Sequence, residues 1–95
     1  MAAYLIGEIE VTDPAAYEDY RKQVGATVAK YGGRFVVRGG KVQALEGGWS
    51  PSRIVALEFA SMEQAQKWYR SPEYAPLIAL RQRASSGKLI LVEGA

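Results

Sequence analysis

The sequence predicts an α+β sandwich, in which one antiparallel sheet carries two main helices on one face. Three observations predict it. Several short segments alternate between apolar and polar residues, as strands do. Two longer segments repeat apolar residues at three- and four-residue steps, as amphipathic helices do. The order strand, helix, strand occurs twice within 95 residues, which indicates one ferredoxin-like βαββαβ domain over residues 1–95.

The first βα unit has clear boundaries. Residues Ala3–Val11 alternate in polarity, which predicts a strand with one dry and one mixed face. Asp13 as N-cap and Pro14 at the first helical position mark a helix start. Two glycines at 32 and 33 end that helix. The apolar stripe of the helix consists of Tyr17, Tyr20, Val24, Val28 and Tyr31.

The middle of the chain predicts a hairpin and an interrupted strand. Residues Arg34–Arg38 form a second strand, with Phe35 and Val37 on one face and Val36 and Arg38 on the other. Glycines at 39 and 40 make a tight turn into a short strand over residues 42–45. A loop over residues 47–51 contains a proline, and a strand follows over residues 53–59.

The C-terminal third predicts two helices and a last strand. Ser61 and Gln64 have the spacing of a capping box at the start of the second main helix. Residues 71–73 stop that helix, and a short helix from Tyr74 then runs to Arg81 or Arg83. Residues 85–87 are a predicted loop and residues 88–93 the last strand. Right-handed crossovers place the first strand centrally, beside the strand at 53–59.

The two faces of the predicted sheet differ in composition. The dry face must lie under the helices, and it collects Leu5, Ile9, Val11, Phe35, Val37, Val55, Leu57, Phe59, Leu89 and Leu91. The mixed face sets a few charges among apolar residues, and it collects Tyr4, Ile6, Glu8, Val36, Arg38, Ile54, Ala56, Glu58, Ile90 and Val92. Exposing the large apolar side chains of the mixed face would forgo roughly 1.5–3 kcal/mol each. We therefore expect a homodimer that buries this face through Ile6, Val36, Ile54, Ile90 and Val92.

The composition excludes several kinds of chemistry. The chain has no cysteine and no histidine, so thiol nucleophiles, disulfides and histidine ligation are excluded, and no metal or cofactor is predicted. The net charge is only +2 and the basic residues are dispersed, which argues against nucleic acid as a partner. The N-terminal apolar run is too short for a signal peptide, and no stretch is long enough to span a bilayer. The expected location is the cytoplasm, with no membrane partner.

A series of residues and short motifs in order along nearly the whole chain carries a family resemblance: Tyr4, Asp13, Tyr17, Tyr20, residues 31–35 and 37–40, Glu46, Gly47, Trp49, residues 53–55, Glu58, Phe59, Ala65, Trp68, Tyr69, residues 71–74, Arg81 and residues 92–94. Through these residues the chain resembles the family called domain of unknown function 1330, within the dimeric α/β barrel superfamily. The resemblance implies the ferredoxin-like fold and a homodimer. It implies no reaction.

Arg38 and Glu58 are the first candidate site. On the mixed face they would form either a polar clamp for a ligand carboxylate or enolate, or a structural cross-strand ion pair. Glu58 or Glu8, with a pKa raised by burial, is the candidate catalytic base.

The other candidate ligand-binding residues are Tyr4, Trp49, Tyr74 and Arg81. Trp49 would be a lid over the space between two paired sheets or an anchor in the partner subunit. Tyr74 and Arg81 lie seven residues apart, so on a continuous helix they share one face and could present a hydroxyl and a guanidinium to the cleft. Otherwise they are a packed tyrosine and a solvated arginine.

Three functions remain open from the sequence. The first is a small homodimeric protein that binds a small, partly apolar or anionic metabolite in the cleft between the sheets. The second is a cofactor-independent enzyme of the monooxygenase, isomerase or dehydratase type that uses a buried carboxylate, which is an analogy from fold alone. The third is a purely structural interaction module whose cleft is filled by side chains.

Overall fold

The computed structural model describes residues 1–95 as one antiparallel four-stranded sheet covered by three helices on one face. The elements in chain order are β1 (Ala3–Val11), α1 (Pro14–Lys30), β2 (Arg34–Arg38), β3 (Ile54–Phe59), α2 (Met62–Tyr69), α3 (Ala75–Ala84) and β4 (Ser85–Glu93). The strand order is β2-β3-β1-β4, so β1 is central and lies beside β3, as the crossover argument predicts. No helix is long and apolar enough to cross a bilayer.

The helix starts follow from local sequence. The Asp13 side chain accepts a hydrogen bond from the Ala16 amide at 3.2 Å, and Pro14 occupies the first turn of α1. Ser61 caps α2 by accepting from the Gln64 amide at 3.1 Å. Only this half of the expected capping box forms, because the Gln64 side-chain amide donates to the Tyr31 carbonyl instead. That bond ties the start of α2 to the end of α1.

Two predicted boundaries are wrong. Residues 42–45 form no strand, so β2 has no hairpin partner on that side and pairs with β3. The predicted loop at 85–87 belongs to β4, which begins directly after α3 because its ladder with β1 runs the full nine-residue length of both strands. Gly87 permits this pairing, since a Cβ there would lie 2.4 Å from the Glu8 carbonyl oxygen.

A β-bulge in β2 changes the faces of the sheet. The register shifts between Phe35 and Val37, so Val37 lies opposite Ala56 and Arg38 lies opposite Val55. Val37 is therefore on the outer face, which carries no helix, and Arg38 is on the helix side. The predicted faces of Val37 and Arg38 are therefore both wrong, because strict alternation along the strand does not hold and a single extra residue reverses every side chain that follows it.

The core lies between the helices and the sheet. Its largest fully buried side chains are Trp68, Tyr74, Phe59 and Val28, so the interpretation of Trp68 as a core residue is confirmed. The outer face is uncovered, and Val37, Ile90 and Val92 are 41–59% exposed. Packing on one face of the sheet thus leaves an apolar surface on the other.

Candidate functional site

A pocket lies inside the core layer, between the three helices and the helix side of the sheet. Eleven of its fifteen lining residues are apolar or aromatic. The other four are Arg21, Arg38, Arg53 and Arg81, and no carboxylate lines the pocket. Its free volume is about 30 Å³, which is room for about one or two water molecules. A larger occupant would therefore have to displace side chains, and those at the exposed end are the freest to move.

The closed end of the pocket, which we call the floor, is formed by Tyr20, Tyr74 and Arg81. Ser71 sets the turn before α3 by accepting a hydrogen bond from the Tyr74 amide at 3.2 Å. The Tyr74 ring stacks on Trp68 with 4.0 Å between ring centroids, and this fixes its position. Its hydroxyl lies 2.8 Å from the Tyr20 hydroxyl and forms a hydrogen bond with it. The floor therefore presents a rigid pair of hydroxyls.

Arg81 is a buried cation without an anionic partner. Its side chain on α3 is 7% exposed, and none of the salt bridges of the chain involves it. Its Nε atom is buried and has no hydrogen-bond acceptor within reach. Burial disfavours its charge, but the neighbouring phenol groups of Tyr74 and Tyr20 outweigh that effect, so its pKa is raised and it stays charged. Buried charges in proteins are normally paired, so this position lacks the anion that such a site requires.

The two phenols of the floor stay neutral at physiological pH. Burial is the main reason that the pKa of Tyr20 and the pKa of Tyr74 are raised. A neutral phenol donates a hydrogen bond but does not remove a proton. The floor can therefore hold an oxyanion through a guanidinium and phenolic hydroxyls, and it contains no base.

The exposed end of the pocket, which we call the mouth, carries Arg38 and Arg53. The bulge in β2 brings Arg38 over the Phe35 ring, with its guanidinium carbon 4.0 Å from the ring centroid. Its Nη2 donates to the Arg21 carbonyl on α1 at 3.0 Å, so the side chain bridges β2 and α1. Arg53 lies with its guanidinium carbon 5.4 Å from the Tyr17 ring centroid.

The expected pair of Arg38 and Glu58 does not form, because the two residues lie on opposite faces of the sheet. Glu58 is on the outer face, where it accepts from Arg34 at 2.7 Å and from the Tyr4 hydroxyl at 2.9 Å. These bonds, that of Arg34 foremost, lower the pKa of Glu58 below its usual value. The expectation of a raised pKa for Glu58 is therefore wrong, and its proximity to Arg34 follows from their direct pairing in the β2–β3 register.

Glu8 and Trp49 also lie away from the pocket. The Trp49 indole donates to the Glu8 carboxylate at 2.7 Å, which fixes the loop between β2 and β3 beside the outer face. Trp49 is nevertheless 61% exposed. An exposed aromatic side chain at the edge of an apolar face is expected of a lid and of a partner anchor alike, so both interpretations stay open.

The structure thus divides the candidate residues between two places. Arg38, Tyr74 and Arg81 line the pocket, whereas Tyr4, Glu8, Trp49 and Glu58 lie on or beside the outer face. Sequence reasoning does not single out the other twelve residues of the pocket as site residues. Among them, Tyr17 and Tyr20 are predicted core residues, and Arg53 is considered only for a weak basic patch. The regular spacing of the tyrosines on α1 is the same whether their side chains fill a core or line a pocket. The spacing therefore cannot distinguish a core residue from a pocket residue.

Comparison with known proteins identifies the family and the fold. The model of the family described as "Domain of unknown function (DUF1330)" matches residues 2–95. The RPA0582 protein of unknown function from Rhodopseudomonas palustris is 18% identical, with a TM-score of 0.79 over 99% of this chain and 82% of that one. No curated protein matches the chain.

Two further solved structures have the same fold. SnoaB, a cofactor-independent oxygenase from Streptomyces nogalater, is 16% identical with a TM-score of 0.72, over 99% of this chain and 93% of that one. HapK from Hahella chejuensis is 18% identical with a TM-score of 0.63, over 98% of this chain and 92% of that one. At these identities the likeness establishes the α+β ferredoxin-like fold and nothing beyond it.

Proposed function

The chain belongs to the DUF1330 family, and from this premise we propose that the protein binds a small, partly apolar anion in the pocket between its helices and its sheet. From the sequence alone, a ligand of the same chemistry is expected in the cleft between two paired sheets. The positions of Arg38, Tyr74 and Arg81 favour the pocket of each subunit instead.

The observation that carries the proposal is the composition of the pocket wall. Four guanidinium groups meet eleven apolar or aromatic residues, and no carboxylate lines the pocket. Of the four, only Arg21 has a salt-bridge partner, Glu18 on its own helix. Ligand sites in proteins are mostly apolar with a few convergent polar groups, which is the pattern here. The buried, unpaired Arg81 supplies the strongest attraction, since a charge-assisted hydrogen bond from a buried guanidinium is about twice as strong as a neutral one.

A cofactor-independent enzyme remains the second candidate. It is favoured by the floor, where Arg81 and the Tyr20–Tyr74 hydroxyl pair surround a position suited to an oxyanion, and by the fold that the chain shares with the oxygenase SnoaB. Because no carboxylate lines the pocket, the buried-carboxylate mechanism expected from the sequence finds no support there. The floor would instead stabilise a substrate that ionises without an enzymatic base.

We propose that the protein acts as a homodimer through the outer face of the sheet. This face exposes Val37, Ile90 and Val92, Val36 at the bulge is exposed as well, and an exposed apolar surface of this kind is typical of an interface. The Ile90→Asp variant should elute as a monomer in size-exclusion chromatography with light scattering. A dimer that persists in this variant and in Ile54→Asp would refute this interface. The purely structural alternative requires only that a partner subunit covers the outer face. It predicts that the pocket binds no ligand, so ligand binding in the pocket would refute it.

Binding is tested with octanoate and its neutral analogue octan-1-ol, because a flexible chain suits a narrow pocket. Isothermal titration calorimetry should show that octanoate binds more tightly than the alcohol. The Arg81→Gln variant should lose at least tenfold in octanoate affinity, which is about 1.4 kcal/mol, the lower end of the range for a hydrogen bond to a charged group. The control is Arg83→Gln, which removes the same charge two residues further along α3 on an exposed position. Equal loss in both variants would mean that general surface charge is responsible, and the proposal would fail.

A further inference from the structure

The mouth of the pocket carries two further cations, in addition to Arg81 at the floor, that have no anionic partner. Arg38 and Arg53 both line it, and neither takes part in a salt bridge. The third arginine of the mouth, Arg21, is already paired with Glu18 at 3.0 Å. The Nε atom of Arg53 is buried and has no acceptor within reach, as is true of Arg81 at the floor. The pocket therefore has an unsatisfied guanidinium at each end.

The backbone is shaped to hold the two mouth arginines together. The bulge turns Arg38 to the helix side, opposite Val55, which is two residues from Arg53. Side chains in such a diagonal cross-strand relation are about 7–8 Å apart at their backbones, within reach for arginines. Gly39 has a φ of +72°, and a Cβ there would lie 2.1 Å from Nη1 of Arg53. The space that an ordinary side chain would fill at position 39 is thus occupied by the Arg53 guanidinium.

Aromatic rings form a path between the two ends. Arg53 lies near Tyr17, the Tyr17 and Tyr20 centroids are 5.5 Å apart, and those of Tyr20 and Tyr74 are 6.4 Å apart. Tyr74 and Tyr20 in turn adjoin Arg81. An apolar ligand body that follows these rings would reach one guanidinium site at each end.

We infer that the ligand is an elongated molecule with two acidic groups, one held at the floor by Arg81 and the other at the mouth by Arg38 and Arg53. This inference rests on the proposed binding function and specifies its ligand class. Two guanidinium groups at one end of a pocket, neither with a counter-ion, repel each other, and an oxyanion between them removes that repulsion while it accepts several hydrogen bonds. Since the free volume is only about 30 Å³, such a ligand has to displace side chains at the mouth, and a slender body displaces the fewest.

The test compares suberate with octanoate, which has the same carbon number and one acidic group fewer. Calorimetry over a series of straight-chain diacids from adipate to sebacate, each against its monoacid, should show one length at which the diacid binds at least tenfold more tightly. Arg53→Gln and Arg38→Gln should each remove most of this advantage, because each should weaken the diacid more than octanoate. Arg81→Gln should weaken both ligands.

The outcomes separate this inference from the binding function. If octanoate binds and depends on Arg81, but no diacid has an advantage, the second subsite is refuted and the binding function stands. The second subsite is likewise refuted if the advantage survives in both Arg53→Gln and Arg38→Gln. If octanoate binds without dependence on Arg81, the binding site itself is misplaced. Arg70→Gln, which alters an exposed arginine outside the pocket, controls for net charge and should leave the diacid advantage unchanged.

Discussion

Replacement of Arg81 by methionine should stabilise the protein. The guanidinium is 7% exposed and has no carboxylate partner, and its Nε atom lacks an acceptor. A buried polar group without a hydrogen bond costs about 1–3 kcal/mol, and methionine keeps most of the apolar stem of the arginine side chain. We therefore expect the free energy of unfolding to rise by about 1–2 kcal/mol.

Thermal and urea unfolding measure this effect. For a domain of this size, 1 kcal/mol corresponds to about 4–8 °C in the unfolding midpoint temperature, so the shift is readily resolved. Arg83→Met, on the exposed side of α3, is the matched control and should leave stability nearly unchanged. A loss of about 1 kcal/mol or more in Arg81→Met would refute the reasoning, because it would show that Arg81 is a structural element of the core. A gain in stability with a loss of octanoate binding is the pattern of a functional residue.

Two further predictions concern other parts of the chain. Hydrogen bonds from Lys30 and Tyr31 lower the pKa of Glu73 to about 2, so its stabilising contribution is fully present above the unfolded value near 4.5 and is lost as the pH falls toward 2. Unfolding temperatures of Glu73→Gln should consequently fall less steeply than those of the wild type between these pH values, and parallel curves would contradict the assignment. Gly39→Ala should lower the free energy of unfolding by about 1–2 kcal/mol, because it strains a positive φ and clashes with the Arg53 guanidinium. Gly40→Ala has open space around it and should be tolerated. Urea unfolding of both variants measures the difference.

The sequence predicts most of the fold because its local signals agree. Alternation in β1, the cap and proline at the start of α1, and the serine cap of α2 all specify the elements that the structure contains. The central place of β1 follows from chain connectivity and the handedness of crossovers. The element boundaries depend on residues near one another along the chain, and the strand order then follows from a general rule. A single sequence is therefore sufficient to find both.

The bulge in β2 is the feature that sequence reasoning could not find. No glycine or proline within Arg34–Arg38 marks it, and its position depends on how β2 meets β3. Because the bulge adds one residue to β2, Arg38 lies in the pocket and does not pair with Glu58, which pairs with Arg34 instead. The seven-residue spacing of Tyr74 and Arg81 did predict their shared location, but their burial follows from packing among three helices, which no local pattern encodes.

The Nε–Hε resonance of Arg81 in a heteronuclear NMR titration tests the central claim most directly. With octanoate, we expect this resonance to shift in a saturable way, together with those of Tyr20 and Tyr74, while the outer-face signals of Ile90 and Val92 stay constant. Saturable shifts at Ile90 and Val92 with an unchanged Arg81 would contradict the account. They would place the ligand between the sheets of the dimer and leave the unpaired arginine of the floor without a role.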